Sequence, residues 1–334
     1  MGKASRRARK NQSGQSGQSG QSGQSGQSGA PKVLPAPFVA RPFEGLPGEP
    51  DWVAMREIVP AATATVRLRD DAPALRAALA DSADSTDSTE GSPDLAVPQE
   101  LTITTVLPMT WPGLHRADGT RFVALQSVPT RGDASRDLVQ VVLALLATPA
   151  GQPVGTVSPA TFDTPRLQDI LDVDAPFEVT VHEGFDYWIA PDVDLDAEGQ
   201  ASLRQANESA IPTTKLASAP AAYWCRVGER THLRWALPDD EDDATAALAR
   251  LHASGALAGP NGLGESTRFL GAFRADGLLV PVWDLDPGLE ADAYEDGLAA
   301  LATRYEQALA ATEPLTAQER RARAGLLSRQ LTLR

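Results

Sequence analysis

Segments with the residue pattern of β-strands come in pairs along this chain, and each pair surrounds a short turn that contains glycine. In the clearest pair, residues 268–274 (RFLGAFR) and 278–285 (LLVPVWDL) flank Asp276-Gly277, a dipeptide that favours the type I′ turn of a two-residue hairpin. Similar pairs surround Gly228-Glu229 and Glu183-Gly184. Strands joined by such short turns are antiparallel. The pattern therefore argues against a doubly wound parallel sheet, in which single strands alternate with helices.

Helical patterns follow most of these strand pairs. Residues 101–111 and 121–126 form one further pair, and Asp133 after it is a suitable N-cap for an apolar helix. Thr316 and Glu319 have the spacing of a capping box, which opens a final basic helix. One helix face is marked by apolar residues at steps of three and four, namely Tyr294, Leu298, Leu301, Tyr305 and Leu309. The sequence predicts an α+β fold of antiparallel β-hairpins with helices packed on one face, in two related sub-domains.

Composition divides the chain into five segments. Six copies of Gln-Ser-Gly at residues 12–29 have no apolar side chain to bury, which is typical of a flexible linker. A disordered basic tail with this linker, a first α+β sub-domain, a Pro/Gly-rich connection, a second α+β sub-domain and a C-terminal basic helix are predicted at residues 1–37, 38–150, 151–165, 166–312 and 313–334, respectively. A polar insert within the first sub-domain predicts a mobile acidic loop at 81–94.

Charge is unevenly distributed along the chain. The formal net charge is −14, yet residues 1–10 carry five basic and no acidic residues, and residues 316–334 carry five arginines against Glu319. Taking away the +5 and +4 of these ends leaves −23 on residues 11–315. An acidic body repels nucleic-acid phosphates, so a nucleic-acid role would depend on the basic tails alone. The other interpretation is that the tails are solvated ends or fold back on the acidic body.

The sequence predicts no cofactor and no metal. Cys225 is the one cysteine, which excludes an intramolecular disulfide and a multi-cysteine zinc site, and we expect a buried structural thiol there. Residues 259–266 (GPNGLGES) are similar to a phosphate-binding loop but carry Glu265 in place of its lysine. Residues 192–199 (DVDLDAEG) are similar to a calcium loop but have Ala197 where glycine is needed. We interpret the first segment as a turn and the second as acids that cap a helix.

A cytoplasmic address without membrane insertion is the expectation from the apolar pattern. No apolar run reaches the roughly 20 residues that a membrane helix needs. The basic N-terminus is followed by Gln-Ser-Gly, where a signal peptide would have its apolar region.

Five residues are candidates for catalysis. His182, Glu183 and Asp186 belong to one predicted hairpin, and His232 and Arg234 alternate on one face of another predicted strand. An imidazole beside carboxylates can act as a general acid–base pair, as a hydrolase-like enzyme would require. An exposed glycine turn and the solvated face of an antiparallel sheet explain the same residues. Both interpretations stay open at this point.

Four segments carry a family resemblance: RPFEGLPGEPDWVAMREIVPAATA (41–64), AAYWCRVGERTHLRWALP (221–238), LARLHASG (248–255) and LVPVWDL (279–285). With them the chain resembles an actinobacterial protein family, the domain of unknown function 5926, from about residue 38 to about residue 310. Members of that family often carry an N-terminal SEC-C motif, a small zinc-binding element. The Gln-Ser-Gly repeat stands in its place here and no cysteine precedes Cys225, so no zinc site carries over. The resemblance implies a shared fold and no particular activity. The translocase- and topoisomerase-type labels of some members find no support in the residues.

The first of these segments predicts a structural fastener. It holds apolar anchors such as Trp52 between prolines and glycines, and it contains no His, Cys, Ser or Lys. We predict a short helix from Asp51 to Ile58, with Asp51 as its N-cap, that fastens the chain to the first sheet. Taken together, the residues favour a non-enzymatic module that binds another protein or acts as an adaptor. A hydrolase-like enzyme and a nucleic-acid-associated protein are the alternatives.

Overall fold

Two β-sheets with their helices make up the computed structural model, which describes residues 33–84 and 96–328. Most of the predicted tail at 1–37 and of the predicted loop at 81–94 lies outside the described residues. Eight α-helices and eleven strands in the described ranges confirm the predicted α+β class. No helix in these ranges is both long enough and apolar enough to cross a lipid bilayer.

The secondary-structure elements follow the predicted succession of strands and helices. The helices are α1 (Glu49–Glu57), α2 (Pro73–Asp84), α3 (Ala134–Leu146), α4 (Leu167–Ile170), α5 (Ala197–Glu208), α6 (Glu241–Ala253), α7 (Glu295–Leu309) and α8 (Ala317–Ser328). The strands are β1 (Ala62–Arg67), β2 (Glu100–Thr104), β3 (Gly113–His115), β4 (Arg121–Ala124), β5 (Gln152–Pro153), β6 (Thr180–Val181), β7 (Thr213–Lys215), β8 (Ala222–Val227), β9 (Arg230–Trp235), β10 (Arg268–Ala275) and β11 (Leu278–Leu285).

The first sheet has the strand order β5-β3-β4-β2-β1-β6. Its neighbours are antiparallel except β2 and β4, which run parallel. The hairpin predicted from residues 101–111 and 121–126 is therefore wrong, because β3 intervenes and is the antiparallel partner of β4. The physical reason lies at Met109 and Thr110, whose positive φ angles of 52° and 57° redirect the chain after β2.

The hairpin predicted around Glu183-Gly184 is also wrong. β6 pairs with β1, and the residues after the turn form a short 3-10 helix at Asp186–Trp188. Asn207 of α5 explains the difference, because its Oδ1 accepts the N–H of Phe185 at 2.7 Å. Its side chain also lies 2.6 Å from where a Cβ on Gly184 would be. The Asn207 side chain thus holds the backbone of this turn.

The second sheet, with the order β10-β11-β9-β8-β7, is antiparallel throughout. Its two central turns confirm the predicted hairpins: β8 leads into β9 through Gly228-Glu229, and β10 into β11 through Asp276-Gly277. Asp276 and Gly277 both have positive φ, at 42° and 84°, as a type I′ turn requires.

Both faces of the second sheet are covered. One face carries Trp224, Trp235 and Trp283, which share a core with Leu248 of α6 and Leu298 of α7. The opposite face belongs to the main core, together with α1, α3 and the inner face of the first sheet. Helices therefore cover one face of this sheet as predicted, and the N-terminal half covers the other.

The described residues from Leu34 onward belong to one compact unit. The first sheet draws β5 (Gln152–Pro153) from the predicted connection at 151–165 and β6 (Thr180–Val181) from beyond it. The division into two sub-domains at these bounds stays a prediction.

Helix α1 joins the two halves of the protein, the N-terminal half with the first sheet and the C-terminal half with the second sheet. It begins at Glu49 after Gly48, whose φ is 63°, so the predicted N-cap at Asp51 is wrong: Asp51 lies in the first turn of the helix. Its carboxylate instead accepts hydrogen bonds from the Tyr223 hydroxyl at 2.6 Å and from Lys215 Nζ at 2.8 Å, both in the second sheet. The charge of Asp51 therefore serves the contact between the halves.

Trp52 of α1 is the aromatic anchor that the sequence predicts. It is fully buried, and its ring stacks on Phe43 and on Phe177 with centroid distances of 5.7 and 4.4 Å. Its Nε1–H donates to the Pro47 carbonyl at 3.2 Å. The stretch before α1 is thereby fixed to the loop that precedes β6.

Candidate functional site

The outer face of the first sheet is polar along β1. The residues from Ala62 to Val66 alternate, and every second one is buried in the main core, so Thr63, Thr65 and Arg67 lie on the opposite face. The strands on either side continue this outer face with the register partners of these three residues, Thr104, Thr102 and Glu100 of β2 and Thr180 of β6. A row of hydroxyl groups therefore covers this part of the sheet.

A loop at residues 172–178, here called the acidic wall, stands beside these hydroxyl groups. The N–H of Asp172 donates to the Arg67 carbonyl at 2.9 Å, and the N–H of Asp174 donates to Asp172 Oδ1 at 3.1 Å. At the other end of the wall, Phe177 is buried against Trp52. The wall is thus held both by β1 and by the N-terminal stretch.

Between the acidic wall and the sheet lies an open cavity of about 580 Å³, which we call the first-sheet groove. Thr63, Thr65 and Thr180 line it together with the wall. A second hollow of about 430 Å³ shares Arg67, Glu100 and Asp172 with it. The two hollows therefore adjoin at these three residues, and we call them together the depression.

Carboxylates outnumber guanidinium groups in this depression. Arg67 Nε lies 3.9 Å from Glu100 Oε1, and Arg69 binds Asp71 through two hydrogen bonds of 3.0 Å. The bonds from Arg69 hold the pKa of the Asp71 carboxyl below its ordinary value. Asp70 of the second hollow and the three carboxylates of the acidic wall, Asp172, Asp174 and Glu178, have no ion-pair partner among the described residues.

His182 lies at the end of the groove that Thr63 forms. Its Nε2 is 2.8 Å from Thr63 Oγ1, and its ring packs on Tyr187 at a centroid distance of 4.6 Å. Tyr187 in turn accepts a hydrogen bond from Thr104 Oγ1 at 2.9 Å. Burial lowers the pKa of the His182 imidazole and raises the pKa of the Tyr187 hydroxyl.

The two predicted carboxylate partners of His182 lie nearby but do not contact its ring. Glu183 is exposed, and Asp186 Oδ2 accepts a hydrogen bond from Asn207 Nδ2 at 3.1 Å. The three residues share a short segment, and no hydrogen bond joins the imidazole to either carboxylate in the described ranges.

The other two candidates, His232 and Arg234, lie on β9 in the second sheet. His232 Nδ1 is 3.2 Å from Asp284 Oδ1, though without the geometry of a hydrogen bond, and Asp284 Oδ2 also accepts from Arg268 at 2.7 Å. Burial lowers the pKa of His232 although the charge of Asp284 acts the other way. Arg234 Nη1 donates a long hydrogen bond, 3.5 Å, to the carbonyl of Ile58.

One chain segment is common to both groups of candidates. The N–H of His182 donates to the Ala61 carbonyl at 2.9 Å, and Arg234 reaches Ile58 three residues earlier. No hydrogen bond or ion pair joins the two groups directly within the described ranges. They therefore contact the same connection between α1 and β1 from two different sheets.

Sequence reasoning missed two partners of the candidate histidines. Thr63 reaches His182 from a strand 119 residues earlier, and Asp284 is paired with His232 across β11 and β9. Cys225, buried as predicted, is the partner of His232 on the other side, and burial raises the pKa of its thiol. The β-propensity of β1, β9 and β11 was the available signal, but β-propensity does not show which residues of two strands face each other.

The two motifs rejected from the sequence have local structural roles. In the segment 259–266, the N–H of Gly264 donates to the Gly259 carbonyl at 3.2 Å, and the N–H of Gly259 donates to the Thr267 carbonyl at 3.2 Å. These two N–H groups therefore do not face outward to hold a phosphate. Asp196 Oδ1 accepts the N–H of Gly199 at 2.8 Å and caps α5. In the part of the chain that the structure describes, no group of three or more His, Cys, Asp or Glu side chains is arranged to hold a metal ion.

Comparison with known proteins gives one match. The model of a family of unknown function, DUF5926, matches residues 42–334. Neither the curated proteins nor the solved structures include a match. The matched region begins in the stretch before α1 and contains every helix and strand of both sheets.

Proposed function

The chain belongs to DUF5926, a family of unknown function, and we propose that it is a protein-binding module whose first-sheet groove takes an extended, positively charged segment of another protein. The observation that carries this proposal is the acidic wall. Its carboxylates, Asp172, Asp174 and Glu178, line a cavity of about 580 Å³ and have no ion-pair partner in the described ranges.

The chemistry of the groove complements lysine and arginine. Both side chains are hydrogen-bond donors without an acceptor, and the wall carboxylates together with the hydroxyls of Thr65 and Thr180 supply acceptors. Hydrogen bonds between charged partners are shorter and about twice as strong as neutral ones. A cationic segment therefore gains both charge pairing and hydrogen bonds in this groove.

The shape of the depression favours an extended chain. The first-sheet groove and the second hollow adjoin at Arg67 and Glu100, and their lining residues follow one another along the chain from Thr63 to Asp71. The Arg67–Glu100 pair at this junction is exposed on both sides, and such surface pairs contribute only about 0–1 kcal/mol. An incoming basic residue can therefore pair with Glu100 at little cost.

A binding role also agrees with the arrangement of the candidate catalytic residues. General acid–base chemistry needs a base within hydrogen-bonding reach of its partners, and His182 takes no contact from Glu183 or Asp186. Binding needs no such coupling. Neither Glu183 nor Asp186 lines the groove. The groove therefore supports a binding role more strongly than a catalytic one.

The proposal is tested with a fluorescently labelled peptide of alternating lysine and alanine, whose binding to the full chain is followed by fluorescence anisotropy. We expect the triple variant Asp172→Asn/Asp174→Asn/Glu178→Gln to weaken binding by about tenfold or more, because three charge pairs are lost. A labelled peptide of alternating glutamate and alanine should show no binding.

A second triple variant serves as the matched control, because any acidic protein attracts a basic peptide to some degree. Asp192→Asn/Asp194→Asn/Glu198→Gln removes the same charge from exposed residues elsewhere on the surface. We expect this variant to bind within about twofold of the unmodified chain. Equal weakening by both triple variants would mean that general charge attraction, and not the groove, binds the peptide.

A further inference from the structure

A hydrogen bond connects His182 to the floor of the first-sheet groove. Thr63 lines the groove, and its Oγ1 lies 2.8 Å from His182 Nε2. The Tyr187 ring packs on the imidazole in a tilted arrangement and is itself held by Thr104, the cross-strand partner of Thr63. The imidazole is therefore fixed in place at a residue that a bound ligand would touch.

The proton on the imidazole determines which way the Thr63 hydroxyl points. A hydroxyl has one proton to donate and two lone pairs to accept. When His182 is neutral with its proton on Nδ1, Nε2 accepts the proton of Thr63, and the lone pairs of the hydroxyl are left for the groove. When the imidazole is protonated, Nε2–H donates to Thr63, and the hydroxyl proton turns towards the groove instead.

We propose that His182 makes cation binding in the first-sheet groove depend on pH, with the neutral imidazole as the form that permits binding. This inference rests on the proposed function. Lysine and arginine offer donors only, so a threonine that also presents its proton is a poor neighbour for them. The positive charge of the imidazolium repels a cationic ligand as well, and the two effects act in the same direction.

The described residues that contact His182, namely Thr63, Tyr187 and the Ala61 carbonyl, carry no charge that would cancel this effect. β1 contributes the uncharged Thr63, and the 3-10 helix contributes Tyr187 and Asp186, the latter bound to Asn207. Glu183 of its own segment is exposed. Lys215 on β7, the strand beside β6, is paired with Asp51.

The direction of the pH dependence follows from these contacts. Burial lowers the pKa of the His182 imidazole below its ordinary value and so favours the neutral form. Protonation occurs as the pH falls through this lowered pKa. Binding of a cationic peptide should therefore weaken on acidification.

The experiment measures the affinity of the labelled lysine–alanine peptide at about pH 7.5 and about pH 5. We expect the dissociation constant of the unmodified chain to rise by about threefold to tenfold between these conditions, since one like charge is added at the groove. In the variant His182→Gln, which is neutral throughout, the rise should be less than about twofold. An equal rise in both proteins would overturn the proposal.

Two variants of Thr63 separate the hydroxyl from the charge. Thr63→Ser keeps the hydroxyl and should keep the full pH response, whereas Thr63→Val removes it and should reduce the response. NMR of the imidazole nitrogens at neutral pH gives an independent measurement, with a proton on Nδ1 as the expected result and a proton on Nε2 as the contradictory one. Failure of the proposed function would show differently, as an absence of groove-specific binding at about pH 7.5.

Discussion

Asp276 is a carboxyl group whose buried position disfavours its charged form. It occupies the β10–β11 turn with a φ of 42°, and its Oδ2 lies 3.3 Å from Arg56 Nε of α1. Burial raises the pKa of this carboxyl to about 6, and the charge of Glu57 acts in the same direction, although Arg56 opposes both. The ion pair between the halves is therefore incomplete at mildly acidic pH.

The variant Asp276→Asn should change how stability depends on pH. Because the pKa of Asp276 is about 6 in the folded protein against 3.8 ordinarily, the folded state binds more protons than the unfolded state in this window. The contribution of Asp276 to stability is complete below the lower value and is lost as the pH rises through the higher one. Asparagine stays neutral and tolerates positive φ. The variant should therefore not lose this stability as the pH rises.

Urea unfolding at several pH values between these limits checks this prediction. The free energy of unfolding of Asp276→Asn minus that of the unmodified chain should increase as the pH rises from 3.8 to about 6. The variant thus becomes more stable relative to the unmodified chain. A difference that stays constant over the whole window would contradict it.

Single residues were predictable where their partners are close in sequence. Asp276-Gly277 identified its own turn, and Thr316 and Glu319 form the expected capping box, with N–H···O distances of 2.7 and 3.3 Å. Asp51 was misassigned because its partners lie in the second sheet, 164 and 172 residues away. A local motif cannot show that a carboxylate is needed by a distant tyrosine.

The β10–β11 hairpin also packs against the N-terminal stretch. A Cβ on Gly277 would lie 2.8 Å from the Ala40 carbonyl and 2.8 Å from Arg41 Cβ. Gly119, in the turn between β3 and β4, has a similar φ of 89° but has no atom within 4 Å of its Cβ position. The two glycines therefore differ in their neighbours and not in their backbone conformation.

Alanine at these two positions should separate backbone strain from packing. Gly119→Ala should cost about 1 kcal/mol, from the positive φ alone. Gly277→Ala should cost at least about 1 kcal/mol more, because the backbone of Ala40 must move away. The free energies of unfolding in urea give both values, and equal costs would show that the contact with Ala40 is unimportant.

Whole elements were predicted well in the second sheet and less well in the first. β8–β9 and β10–β11 are hairpins, so the turn residues between them specify their pairing. In the first sheet, β1 pairs with β6, and Thr63 faces Thr180 far along the chain. Nothing local to either strand encodes this partnership, so the groove on the outer face could not be derived from the sequence.

The main core unites the two halves of the protein. It contains α1 and the inner face of the first sheet together with Tyr223, Phe273 and Val280 of the second sheet. Trp52 is fully buried within it. Loss of this side chain should therefore weaken both sheets at once and not only the loop before β6 that it stacks against.

We expect Trp52→Ala to lower the free energy of unfolding by about 3–5 kcal/mol, as for other buried aromatic residues truncated to alanine. Hydrogen exchange should show faster opening of strands in both sheets to a similar extent. Phe38→Ala is the control, because Phe38 is 79% exposed and its removal should leave stability within about 0.5 kcal/mol. Destabilisation of the first sheet alone would contradict the single core.

The position of α1 has a consequence for the order in which the chain folds. The helix lies near the beginning of the described sequence, yet Asp51 needs Lys215 and Tyr223, and Arg56 needs Asp276. During synthesis, Trp52 leaves the ribosome long before the partners of its helix exist. Contacts of such large sequence separation are slow to form, and a nascent chain exposes its apolar residues until they do. In the folded protein, α1 joins the two halves. Because it is synthesised early, it is also the part of the chain that spends the longest time without its contact partners.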